Sequence, residues 1–329
     1  MRMIFSSAAV LFSILIATPA SASDLIKVKI RDSWVPGGAS SVFYYAYEKR
    51  IFERHGLDVA HEDGNGSTVT VQLVATKQAE VGHGDLSAMA VGRGKGMKVI
   101  SIGSLMRGTA LAIFVPKGSG IKSPKDLEGK EVLYTATSFE GPFMDTILKA
   151  GGTSREKVNL ISVDASSKVS SYNAGRGMGM VTTIPFGTSS VQKTRPSDVI
   201  RFSDYGMALP SYGLIVHEDT LKEKPEMLRR LVAAYFEAWS SIISSPAEIE
   251  ATGSSLAKRR PDSKIDPKQI VDYVNLNREF FFTKHTEGRP LGWQSELDWA
   301  NTIRTMEEAK LIKPGSKPSE YFTNVFFGK

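Results

Sequence analysis

Residues 25–56 read LIKVKIRDSWVPGGASSVFYYAYEKRIFERHG. Ile26, Val28 and Ile30 alternate with charged residues, the period of a strand that buries one face. Phe43, Tyr44, Tyr47, Ile51 and Phe52 then recur at helical spacing, and Gly56 stops the helix. A strand that passes through a Gly/Ser turn into a helix is the repeating unit of an α/β sheet. In open parallel sheets, solutes lie beyond the carboxyl ends of the strands, where such turns sit. Asp32 to Ser41 is a turn of this kind. Pro36, Gly37 and Gly38 shape it, while Ser40 and Ser41 are placed to cap the helix and to leave backbone N–H groups facing outward. Trp34 adds a flat apolar face with one N–H, suited to a planar ligand or to core packing.

The arrangement repeats along the chain. The second strand ends in DGNGSTVT, with Gly64, Gly66, Ser67 and Thr68 ahead of a helix, and the third ends in HGDLSA at Asp85. A second series starts at TALAIFVP; its loop YTATSFEGPF sets Thr135, Thr137, Ser138, Phe139 and Glu140 before a helix, and VTTIPF sets Thr182 and Thr183. Five loops of small, hydroxyl-bearing residues at strand ends predict a solute held between two α/β lobes of one plan. From Ser211 onward the pattern turns helical. Thr220 or Pro225 starts a long amphipathic helix whose apolar face carries Leu228, Leu231, Val232, Tyr235 and Trp239.

The first residues suggest a destination. Arg2, an apolar run from Met3 to Ile16 and small residues at Ala20 and Ala22 predict a signal peptide over 1–22, cut after Ala22. The 329-residue chain has no cysteine, so disulfides, a thiol nucleophile, Cys metal sites and a lipidated cysteine are excluded. Later apolar stretches break well short of the roughly 20 residues a spanning helix needs. The expected compartment is the periplasm. The net charge of +6 is scattered, and its longest basic run is Lys258 to Arg260, so no nucleic-acid footprint is present.

Catalytic patterns are poor. His55, His61, His83, His217 and His285 show no HExxH spacing, and the HED at 61–63 would alternate faces on a strand rather than converge on a metal. SREK at 154–157 lacks the companion triplets of a Ser-Lys enzyme, and GRGKGM and GRGMGM lack a full dinucleotide fingerprint. We therefore expect no catalytic residue, no metal and no cofactor.

The stretch from Asp32 to Asp85 resembles the opening of the NMT1/THI5-like, nitrate/sulfonate/taurine-type solute-binding proteins of ABC importers. SGIKSPKDLEGKEV, AGRG and DYGMALPSYGLIVHEDTLKEKPEMLRRLVAA continue the resemblance over essentially the whole chain after the leader. Lys77, Glu80 and Met178 depart from the family pattern. The resemblance implies a type II periplasmic binding fold that closes by hinge motion, with crossing strands near Arg107–Ala110 and Ser211–Gly213. Lobe 1 would hold 24–109 and 213–329, and lobe 2 would hold 110–212. It further implies a monomer that delivers a sulfonate, carboxylate or pyrimidine-like solute to a permease with a cytoplasmic ATPase. A pyrimidine-precursor enzyme like the eukaryotic THI5 proteins, or a ligand sensor for a membrane receptor, are the alternatives.

On this scheme Arg107, at the first crossing, could pair with an anionic group in the cleft or serve an interlobe ion pair. Asp85 could accept from an amine or ring N–H, or cap a helix. Phe139, Tyr205 and Tyr212 could enclose a planar ligand, or pack as ordinary core.

Overall fold

The computed structural model describes residues 25–328; the proposed leader lies outside the described residues. Ten strands follow in chain order: β1 (Ile26–Asp32), β2 (Leu57–Glu62), β3 (Val81–Asp85), β4 (Val99–Ser104), β5 (Leu111–Pro116), β6 (Glu131–Tyr134), β7 (Asn159–Ser162), β8 (Gly179–Thr183), β9 (Ser197–Arg201) and β10 (Tyr212–His217). They form two five-stranded sheets, in the order β2-β1-β3-β10-β4 and β7-β6-β8-β5-β9.

The chain passes between the sheets twice, through 105–110 and through 206–211. Each passage explains one antiparallel strand. β1 to β4 all end facing the space between the sheets, so the chain leaves β4 there and β5 must start there; β5 runs antiparallel to β8 and β9. The return works the same way. β10 begins at the cleft beside the end of β3, pairing Tyr212 with Asp85, and runs antiparallel between β3 and β4.

Burial follows position in the sheet. β1 alternates, with Val28 and Ile30 buried and Lys27 and Lys29 exposed, whereas β3, β4 and β10 are buried at every residue. The long helix runs Pro225–Ile242, and Pro225 rather than Thr220 starts it, because a proline at the first helical position gives up no needed N–H. All five residues of its predicted apolar face are buried. Fully burying side chains of this size contributes roughly 1.5–3 kcal/mol each, which fixes this helix to the first lobe. The second crossing ends at Ser211, one residue before β10, so Tyr212 and Gly213 belong to the sheet rather than to the connection.

Candidate functional site

The ends of β1, β8 and β10 meet across a narrow cleft. From the first lobe come Asp32, Trp34, Ser40, Tyr212 and Tyr273; from the second come Phe139, Thr182, Thr183 and Phe186. The space between them is about 20 Å³, roughly one water molecule. It adjoins a wider groove of about 580 Å³ that shares Val35, Gly37, Gly38, Phe186 and Tyr273. Gly38 is required here by close approach, since a Cβ on it would lie 2.0 Å from the Tyr273 ring.

Trp34 is one contact between the lobes. Its ring meets Phe186 edge to face at 6.3 Å, and the ammonium of Lys168 sits 5.0 Å from its centroid. Lys168 has no solvent exposure and is paired with the equally buried Glu140, while also donating to the Val181 carbonyl at 2.9 Å. Glu140 Oε1 accepts from the Thr135 N–H at 3.0 Å, and its Oε2 is buried with no partner among the described residues.

Behind the other wall lies Asp32, 1% exposed. One oxygen accepts from the Ser33 N–H at 2.6 Å and lies 3.3 Å from His83 Nδ1; the other lies 3.0 Å from His61 Nε2. His83 Nε2 continues to the Tyr235 hydroxyl at 2.9 Å. Burial pushes the Asp32 carboxyl up, but the charge of His83 and the hydrogen bonds of both histidines outweigh it and hold the carboxyl far below its ordinary range. Burial likewise pushes the Tyr212 hydroxyl well up, so it is a neutral donor at any physiological pH.

Of the predicted residues, the cleft thus gathers Trp34, Ser40, Phe139, Thr182 and Tyr212. Several others are engaged elsewhere. Ser40 is the residue before the helix but makes no side-chain cap; its hydroxyl closes on the Gly37 N–H and carbonyl, and that of Ser41 donates to the Gly38 carbonyl at 2.7 Å. The serines hold the turn itself, a local bond that competes with capping.

Gly66, Ser67, Thr137 and Ser138 form a clasp outside the cleft. The Thr68 N–H donates to the Thr137 carbonyl at 3.1 Å, and the Thr137 hydroxyl donates to the Asn65 carbonyl at 3.1 Å. Gly66 has φ +122°, and a Cβ there would fall 2.3 Å from the Thr137 carbonyl oxygen, so only glycine permits this approach. Ser67 accepts from the Asp85 N–H at 3.2 Å. Asp85 is a helix cap, accepting from the N–H groups of Ser87 and Ala88 at 2.9 and 3.1 Å. Its burial lifts the carboxyl to about 6 against these bonds.

Two expectations fall away from the cleft altogether. Tyr205 lines a surface groove with Asp145, Lys149 and Glu308, ahead of the second crossing. Arg107 lines a separate pocket at the crossings, where its side chain turns to the Pro290 carbonyl instead of the cleft.

Phe186, Tyr273 and Asp32 line the cleft and Lys168 lies buried behind Trp34; sequence reasoning singled out none of the four. Lys168 carried a usable signal, since it lies between Ala165 and Tyr172 on the face its helix buries. Among the described residues, no group of His, Asp and Glu is arranged to hold a metal ion.

Two α/β lobes with two crossings around a cleft define the periplasmic binding protein fold. The chain belongs to the NMT1/THI5-like family, whose model matches residues 39–249. It is 25% identical over 301 residues to a formylaminopyrimidine-binding protein of Halalkalibacterium halodurans, covering 91% of this chain and 90% of that one. It is 23% identical over 237 residues to a 4-amino-5-hydroxymethyl-2-methylpyrimidine phosphate synthase of Saccharomyces cerevisiae, covering 68% of each. Its fold matches that of the alkanesulfonate-binding protein SsuA of Xanthomonas axonopodis pv. citri bound to MOPS, with a TM-score of 0.69 at 12% identity over 92% of this chain and 99% of that one.

Proposed function

We propose that the protein is the periplasmic solute-binding component of an ABC importer and that its solute is a small planar nitrogen heterocycle of the pyrimidine type. The observation that carries the solute class is the charge state of the cleft. Its walls are aromatic on both sides, and none of the described residues lining its narrow part is a cation. Lys168, beside Trp34, is already neutralised by Glu140. A sulfonate or nitrate would enter without a counter-charge, which is costly in a buried site. A flat ring with amino or ring N–H groups instead stacks on Trp34 and meets acceptors. The H. halodurans relative, a formylaminopyrimidine-binding protein by name, supports the same class.

With room for about one water, the cleft admits such a ring only when the lobes part. We take 25–109 with 212–328, and 110–211, as the bodies that move about the crossings, Tyr212 travelling with β10 in the first, with closure presented to the permease by a monomer. Calorimetric titration of the refolded protein against formylaminopyrimidine, hydroxymethylpyrimidine, alkanesulfonates and nitrate tests the reading. Binding of a pyrimidine that is lost in Trp34→Ala is the expected result. Binding of a sulfonate or nitrate alone would overturn the solute class.

A further inference from the structure

The pocket that holds Arg107 has its own chemistry. It encloses about 200 Å³ between the two crossings and the start of the helix Glu296–Glu308, and it shares no lining residue with the cleft. Gly108 and Thr109 come from the first crossing, Ala208, Leu209 and Pro210 from the second.

Arg107 is 6% exposed. Its Nε and Nη2 donate to the carbonyls of Ser104 and Pro290 at 3.4 and 2.9 Å, and its guanidinium lies 4.8 Å from the centroid of the Phe282 ring. Its Nη1 is buried without any partner among the described residues. Burial lowers its pKa to about 10 against the pull of Asp298, so it stays charged at neutral pH. The nearest acid is committed elsewhere: Asp298 takes His285 Nδ1 and the Thr283 hydroxyl, each at 2.6 Å. A buried cation with one unmet donor and no paired carboxylate is expensive to keep, and a bound anion removes both deficits.

We propose that this hinge pocket is a second binding site, taking a small monocarboxylate whose oxygens meet Arg107 Nη1 and whose apolar part lies against Leu209, Pro210 and Trp299. The size fits, because a cavity of about 150 Å³ holds benzene. A single charge fits too, since Asp298 on the same wall opposes a doubly charged anion. Touching both crossings, the occupant holds their relative position and so acts on closure without entering the cleft.

The test titrates propionate and benzoate into the wild type, Trp34→Ala, Arg107→Met and Ala208→Leu, with propionamide and benzamide as neutral partners, following melting temperature and amide hydrogen exchange. Carboxylates should raise the melting temperature saturably in the wild type and in Trp34→Ala, and the amides should not. Arg107→Met should weaken the effect about tenfold or more, as loss of a charge-assisted contact does. Ala208→Leu fills the pocket while leaving Arg107 in place, so it should abolish the effect even if Arg107→Met folds poorly. Exchange should slow in 105–110 and 206–211. No saturable effect in the wild type, equal action by the amides, survival of the effect in Ala208→Leu, or protection confined to Trp34–Gly38 would each overturn the site.

Discussion

Lys168 of the second lobe places its ammonium 5.0 Å from the ring centroid of Trp34 of the first, and the same ammonium is paired with a carboxylate that never reaches solvent. The contact joins lobe closure to a buried Lys–Glu pair and makes Trp34 one of the side chains through which each lobe meets the other.

Trp34→Ala should therefore lose solute affinity far more than stability. Removing a stacking aromatic and its cation–π partner costs about 1–3 kcal/mol of binding, or roughly ten- to a hundredfold in Kd. Titration calorimetry and thermal melting on the same preparation separate the two effects. An unchanged Kd for the bound solute would remove Trp34 from the site.

Breaking the ion pair should do the reverse. Glu140→Gln leaves Lys168 buried and uncompensated, which costs about 3–5 kcal/mol, whereas Glu140→Gln with Lys168→Met removes both charges and recovers most of that loss. Urea unfolding of the two variants beside the wild type measures the difference. A double variant no better than the single one would contradict the pairing.

Two buried aspartates give stability opposite dependences on pH. Asp32 is depressed in the folded state, so its contribution is complete above the unfolded value near 4 and disappears as pH falls towards the lower folded value. Asp32→Asn should be less stable at pH 7, with the gap to wild type closing towards pH 2. Asp85 is raised to about 6, so its stabilisation is complete below about pH 4 and is lost as pH rises through 6. Asp85→Asn keeps a good helix cap and should gain roughly 2 kcal/mol at pH 7 but nothing at pH 4. Melting temperatures across pH 2–8 decide both.

Gly66→Val should hold the lobes apart. Its side chain would occupy the place of the Thr137 carbonyl, which a positive φ already reserves for glycine. Small-angle scattering should show a larger radius of gyration that added solute does not reduce; closure to the wild-type value would show that the clasp is dispensable.

The architecture was legible because period and punctuation were both clear. The alternation of Ile26, Val28 and Ile30, the Gly/Ser turn and the spacing of Phe43 to Phe52 all describe local geometry, which one sequence contains. Trp34 and Phe139 reached the cleft because they follow the ends of β1 and β6, and Tyr212 because it opens β10, which starts at the cleft where the parallel strands end. Arg107 and Tyr205 failed because the direction a side chain takes beside a crossing depends on packing from remote residues such as Pro290 and Thr305. The five histidines lack HExxH spacing, and the HED at 61–63 alternates faces on one strand, so neither reading points to a cluster. His61 and His83 in fact lie on β2 and β3, on either side of Asp32 at the end of β1, a juxtaposition made by strand order and not by spacing.

The placement of β10 has a consequence for synthesis. A chain emerging from the ribosome makes β3 and β4 early, yet they do not pair with each other; each waits for Tyr212–His217. Until that segment appears, the first sheet has two raw inner edges and the early half of the polypeptide has no finished core. The first sheet is therefore closed only by a strand that lies about two thirds of the way along the chain, so its order of assembly runs against the order of synthesis.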